Sequence, residues 1–186
     1  MPESIVQLGA TDFEEAIDFL NLVFSARGPH DFARLLPTLY RPTDEHMAHN
    51  FAIRKDGRIR AIVGLFPKEW QVGRTTLKVA GIGGVSTHPN HRRFGLMRAL
   101  MQHCVHTMRE QGYHLSWLGG QRQRYLYYGY ERCGCSVTAS LSKANVRHCF
   151  SAPSGLRLEA IGAQHTALLT RAEEKHDPQP VHCRRA

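Results

Sequence analysis

Apolar residues recur about once per helical turn at Phe13, Ile17, Leu20, Val23 and Phe24, a spacing that gathers them on one face and predicts an amphipathic helix. Thr11-Asp12-Phe13-Glu14 opens it with acidic residues in the first turn, and it ends before Gly28-Pro29. A weak alternation over 4–8 predicts a short strand ahead of it. Phe32, Leu35, Leu36 and Leu39 mark a second helical face, over 31–40, closed by Pro42. From Asn50 the period falls to two: Phe51-Ala52-Ile53-Arg54 runs into the hairpin signal Lys55-Asp56-Gly57-Arg58, and Ile59 to Phe66 resumes the alternation. The second strand continues past Pro67 to Val72, turns at Gly73-Arg74 and pairs with a third strand over 75–85.

Gly81, Gly83 and Gly84 lie inside that third strand, where glycine leaves nothing to pack. Interior strand glycines mark a bulge or a close approach by ligand or backbone, and a simple kink at a crowded contact is the alternative. A polar, basic turn (86–95) leads into a helix with Leu96, Met97, Leu100, Met101, Cys104, Val105 and Met108 on one face, which stops at Gly112. A strand over 113–118, a short helical segment over 121–128, the Gly129-Tyr130 turn and a strand pair over 133–141 follow. The outline is an α/β layered sheet: antiparallel strands first, then a crossover helix between the third strand and the next. Beyond about 150 the chain reads as a linker (151–155), a strand (156–161), a helix (163–175), a break at Asp177-Pro178-Gln179-Pro180 and a basic end. One strand and one helix cannot bury a core of their own.

Composition narrows the chemistry. With 42% hydrophobic and 22% charged residues in 186, the chain is an ordinary globular protein with room for one domain and a remainder. A net charge of +8 points to partners carrying negative charge. Neither a secretory leader nor a run of about 18 apolar residues is present, so a cytoplasmic protein without membrane contact is expected, its five cysteines reduced. Twelve histidines invite a metal, yet His103 and His106 share a helix face from which Cys104 is about 100° removed, and Cys133-Gly134-Cys135 leaves one residue between thiols where zinc wants two to four. No metal site is expected.

Glycines in a strand, then Arg92-x-x-Gly95 and a helix start, are what physics would choose for a pyrophosphate. The first-turn amides of a helix have no internal partners, the dipole is positive there, and Gly95 removes a Cβ from the approach, with Arg92, Arg93 and Arg98 adding charge. Arg92-Arg93-Phe94-Gly95-Leu96-Met97 resembles the Gln/Arg-x-x-Gly-x-Gly/Ala loop of the GNAT superfamily of acetyl-CoA-dependent N-acetyltransferases, departing from it at Met97. The longer string from Val85 to Met101, with Pro89, His91, Arg92, Arg93, Gly95, Leu96, Arg98, Ala99 and Leu100, is similar to the N-terminal domain of the Eis-like branch. About thirty residues on, Tyr125-x-x-x-Gly129-Tyr130 is similar to that superfamily's Tyr-x-x-x-Gly-Phe segment.

The resemblance implies the GNAT fold, a mixed and mostly antiparallel sheet with a splayed central strand and flanking helices, in a domain over 4–150. Residues 151–186 are then a C-terminal extension or the start of a second domain. It implies acetyl-CoA as co-substrate, its pyrophosphate on Arg92, Arg93, Phe94, Gly95, Leu96 and Met97 and its pantetheine arm against the backbone of Gly84, Val85 and Ser86. Tyr125 falls on the general acid that protonates the departing thiolate. The acceptor is an amine on a small molecule or peptide, attacking directly in a ternary complex. No nucleic acid is expected, and a homo-oligomer is left open. The family's strand glutamate has no counterpart between Val79 and Gly84, so the base is water, or His88 or Glu69 through a water; Asp44, Glu45 and Glu69 are candidates for holding a cationic amine. The rivals are a catalytically silent ligand sensor on the same fold and a nucleic-acid module using Arg122, Arg124, Tyr125, Tyr127 and Tyr128 as a basic and aromatic platform.

Overall fold

The computed structural model describes residues 4–26, 28–133, 140, 142–149, 159–176 and 181–183. They form two compact units, one of residues up to Glu131 together with Val181 onward, the other from Arg132 to Pro180.

In the first unit the elements run β1 (Ile5–Gln7), α1 (Phe13–Phe24), α2 (Phe32–Leu35), α3 (Asp44–Met47), β2 (Asn50–Lys55), β3 (Arg58–Val72), β4 (Thr75–Thr87), α4 (Leu96–Glu110), β5 (Leu115–Leu118) and α5 (Arg122–Tyr125). The second unit holds α6 (Lys143–Cys149) and α7 (Thr166–His176), and β6 (Val181–Cys183) returns to the first. The sheet order is β1-β2-β3-β4-β5, antiparallel except for the parallel pair β4–β5 that α4 connects; β6 also pairs with β3, antiparallel. The α/β outline read from the sequence is therefore the observed one. Of the strand expected over 156–161, the described part from Glu159 to Ile161 forms no strand; the expected linker and most of the strand pair over 133–141 lie outside the described residues.

Both faces of the sheet are covered, and strand alternation sorts the core accordingly. Ala52, Ile62 and Phe66 pack with Leu8, Ile17, Leu20, Phe32, Tyr40 and Met47 beneath α1. Ile53, Ala61, Val63, Leu65, Ala80 and Ile82 face Leu96, Leu100, Met101, Cys104 and Met108 of α4. Asp56 and Gly57, both at positive φ, close the two-residue β2–β3 hairpin. Arg54 pins α1 to the sheet, reaching Asp12 and Glu15 at 2.7 Å each, while Glu15 also accepts the Ile59 amide at 2.8 Å.

The helix expected over 31–40 is a single turn. Leu36 precedes Pro37, which forces it out of the helical region (φ −130°, ψ 57°), so the chain beyond runs as a loop carrying Tyr40 into the core. The turn α3, capped by the Thr43 side chain, has too few residues to show a period in the sequence.

The interior glycines of β4 do mark a bulge. Ile62 pairs with Ser86 and Gly64 with Gly83, so three steps on β4 face two on β3 and one residue is inserted. Gly84 takes φ +59° there, and the Ser86 hydroxyl donates to its carbonyl at 2.9 Å. As a result Ile82 and Val85 both face α4 although three apart, and Gly84 faces the α1 side. β5 accompanies β4 only from Val79 to Ile82; among the described residues nothing pairs with that edge of β4 farther on. This is the splay that the resemblance implied.

A Cβ on Gly84 would lie 2.7 Å from the Tyr40 hydroxyl. Gly84→Ala should therefore cost about 2 kcal/mol in urea denaturation, part from the left-handed backbone and part from that contact. In a Tyr40→Phe background, where the oxygen is gone, the cost should fall to about 1 kcal/mol; equal costs in the two backgrounds would show that the hydroxyl does not press on this position.

Candidate active site

Gly95 caps α4 at φ +80°, with Arg93 before it also at positive φ (+72°), an uncommon conformation for a residue with a Cβ. The first helical hydrogen bond runs from the Ala99 amide to the Gly95 carbonyl at 3.0 Å. The amides of Leu96, Met97 and Arg98 precede it and point out of the helix end. Arg92 and Arg93 are exposed beside them. Phe94 is 68% exposed with the Lys55 ammonium 5.6 Å from its ring centre. Leu96 is buried, and Met97 packs its side chain on the α4-side core. The bulk that departs from the family's small residue at position 97 is thereby turned into the core, leaving the helix end open.

Gly84, Val85 and Ser86 form the bulge at the uncovered edge of β4, with Ser86 only 4% exposed. Tyr125 ends α5, just past β5. Its ring lies on Gly120, where a Cβ would come 2.5 Å from Cε2, and 6.4 Å from the Tyr130 ring, edge-on. Burial raises its phenol above the ordinary value, with Arg124 opposing and Tyr128 adding, so it is held as a proton donor at neutral pH. Tyr130 is tied to the sheet by its hydroxyl, 2.6 Å from that of Ser116, which donates to the Ala80 carbonyl at 2.9 Å. The Arg98 guanidinium lies near the Tyr128 phenol, opposing the rise in its pKa that burial causes. Tyr125 and the α4 end thus flank one core cluster, to which Val85, Met97 and Leu118 also belong.

Of the carboxylates considered for the site, Glu69 stands away from the bulge and Asp44 is already engaged. Glu69 stands five residues along β3 from Gly64, roughly 16 Å away, and pairs in register with Lys78 on the α4 side of the sheet. Asp44 is occupied, accepting the Ala10 amide at 2.7 Å. His88 accepts the Asn90 amide on Nδ1 at 3.2 Å, and slight burial, Arg60 and His91 lower its pKa, so it is neutral at pH 7. Among the described residues no group of three or more His, Cys, Asp or Glu is placed to hold a metal ion, and no helix is long and apolar enough to cross a membrane. A residue the sequence reading missed is Tyr40, whose hydroxyl meets Gly84 across 44 residues of chain.

Comparison with known proteins leads to the same fold. The acetyltransferase (GNAT) domain profile matches residues 4–138. No curated protein matches the sequence. Among solved structures, a predicted acetyltransferase from Clostridium acetobutylicum, solved with acetyl-CoA, superposes with a TM-score of 0.61 at 15% identity, covering 74% of this chain and 95% of that one. A probable N-acyltransferase from Enterococcus faecalis gives 0.59 at 21% identity, covering 70% of this chain but only 33% of that one, so the chain spans about a third of that protein's length. Eis1 from Mycobacterium abscessus matches at 0.47 and 13% identity over 59% of this chain and 26% of its own, which is too distant to favour that branch over others. At such identities the likeness to solved structures is one of fold, while the profile covers most of the sequence: the chain belongs to the GNAT acetyltransferase family.

Proposed function

We propose that the protein transfers an acetyl group from acetyl-CoA to a primary amine on a small molecule or peptide, by direct attack in a ternary complex. The observation that carries this reading is the Gly84 bulge, past which one edge of β4 has no strand partner among the described residues, in a domain whose α4 begins at a glycine-capped end flanked by exposed arginines. An uncovered strand edge suits an amide-bearing arm such as pantetheine, through the backbone of Gly84, Val85 and Ser86. The α4 end suits its pyrophosphate, on the amides from Arg93 to Met97 with Arg92 and Arg93 as counter-charges. The net charge of +8 is then assigned to coenzyme phosphates rather than to nucleic acid. Acetyl-CoA supplies the activated acyl carbon when bound.

In the transfer, the amine nitrogen bonds to the thioester carbon and the carbon–sulfur bond breaks. Tyr125 donates its phenolic proton to the leaving sulfur, and the proton released by the nitrogen passes to water, from which Tyr125 is restored. Alignment in the ternary complex supplies most of the rate, so no enzyme nucleophile is called for. Cys104 is unsuited to be one: it is fully buried on α4, and burial pushes its thiol up to about 12.

Four outcomes check this reading. Acetyl-CoA at a hundred times its Kd should add about 2.7 kcal/mol of stability, raising Tm by several degrees, and no rise at millimolar coenzyme would overturn it. Arg92→Ala should weaken coenzyme binding by about tenfold, read by calorimetry. Tyr125→Phe should bind coenzyme normally and lose about 100-fold in kcat. Iodoacetamide at pH 8 should label exposed Cys133 and Cys149 and leave Cys104 unmodified until the protein is unfolded, as mass spectrometry would report.

A further inference from the structure

The loop after α2 delivers a buried phenol to the bulge. Tyr40 is 3% exposed, its ring held edge-on between Phe32 (centroids 5.6 Å, 86°) and Phe66 (5.9 Å, 75°), and its amide donates to the Leu36 carbonyl at 3.1 Å. A ring locked on two sides cannot swing its oxygen elsewhere. That oxygen stands over Gly84, 2.7 Å from the point a Cβ would occupy, so the glycine both forms the bulge and makes room for the hydroxyl. Phe66 is itself seated on glycines, its Cε2 lying 2.5 Å and 3.2 Å from the Cβ positions of Gly64 and Gly83. The aromatic wall and the bulge are therefore one fitted unit.

A buried tyrosine hydroxyl ordinarily finds a hydrogen-bond partner. Tyr40 has none among the described residues, and burial alone accounts for the upward shift of its pKa. Three side-chain polar atoms are sealed in the described fold without partners, Asn50 Oδ1, Arg60 Nε and Trp70 Nε1; the Tyr40 oxygen is not one of them. A fixed, protonated donor with no partner among the described residues thus stands at the bulge, where Gly84 is skipped by the pairing with β3 and carries no side chain.

We infer that Tyr40 is a second catalytic phenol, whose O–H donates a hydrogen bond to the thioester carbonyl oxygen as that oxygen gains negative charge. This rests on the proposed acetyl transfer and deepens it. As the amine nitrogen bonds to the carbonyl carbon, the π pair moves to oxygen and Tyr40 stabilises it. When the pair returns and the carbon–sulfur bond breaks, Tyr125 protonates the sulfur and Tyr40 keeps its own proton. The two phenols divide the labour: one meets charge on oxygen, the other charge on sulfur. A rigid donor aimed at developing charge is effective because it needs no reorganisation at the moment of reaction.

Tyr40→Phe preserves the ring between Phe32 and Phe66 and removes the oxygen alone. Its Tm should equal or slightly exceed that of the wild type, since no hydrogen bond within the described fold is lost. Coenzyme A affinity should be unchanged and kcat should fall about 100-fold. The carbonyl stretch of bound acetyl-CoA, labelled with carbon-13 at the carbonyl, should move to higher wavenumber by infrared difference spectroscopy, because the donor is gone. An unchanged stretch with wild-type kcat would overturn the inference while leaving acetyl transfer standing. Binding of acetyl-CoA with the same stretch in both proteins, even if no acceptor amine is turned over, would also overturn it. Failure of wild-type protein to bind acetyl-CoA at all would remove the proposed function and this inference with it.

Discussion

One inserted residue in β4 governs the rest of this structure. The step from Gly83 to Ser86 against Gly64 to Ile62 sends Val85 to the α4 side and Gly84 to the α1 side, where strict alternation would have placed them oppositely. A bulge also bends and twists its strand, and β5 follows β4 only as far as Ile82 before the two part. The open edge, the glycine beneath the Tyr40 hydroxyl and the contact of Val85 with the α4 core all follow from the same insertion. Ser86, bonding back to the Gly84 carbonyl, satisfies an acceptor that the displaced ladder would otherwise leave unpaired.

Such a defect persists because the sheet is held from both sides. Leu96, Leu100, Met101, Cys104 and Met108 line one face of α4 and fix its axis against β3 and β4. The position of its first turn is consequently set by core packing rather than by the loop before it, and Arg93 can be carried at positive φ next to Gly95. On the other face Tyr40, Phe32 and Phe66 interlock over the bulge. Two cores thus hold rigid the bulged stretch of β4, whose far edge has no strand partner among the described residues past Ile82.

Much of this could be read from residue order. Periods of 3.6 and 2 placed α1, α4 and the three long strands, Asp56-Gly57 placed the hairpin, and Gly81, Gly83 and Gly84 flagged the bulge, because each is a local rule acting on adjacent residues. The loss of the helix over 31–40 turned on Pro37, whose effect on Leu36 outweighs four apolar residues at helical spacing. Tyr40 was illegible for a different reason. In sequence it is one more aromatic at the end of an apolar run, and only the contact of its oxygen with Gly84 gives it a role. Glu69 shows the converse: chemically apt in the sequence, it is removed by strand register, which no composition reveals.

The surroundings of the bulge also bear on how an amine would lose its proton there. On the α1 side the neighbours of Gly84 are Leu20, Tyr40 and, across the strand pair, Phe66, with His49 edge-on to Phe66 at 6.0 Å. Burial and the nearby His46 lower the pKa of His49, Glu45 opposing, so it carries no charge at neutral pH. An ammonium brought against this wall meets mostly aromatic carbon, and desolvation lowers an amine's pKa toward the neutral form that can attack, an effect that Glu45, close enough to act on His49, opposes. On the proposed reading solvent takes the proton and the fixed phenols serve as donors, so that the surroundings of Gly84 take over part of what a strand carboxylate would do.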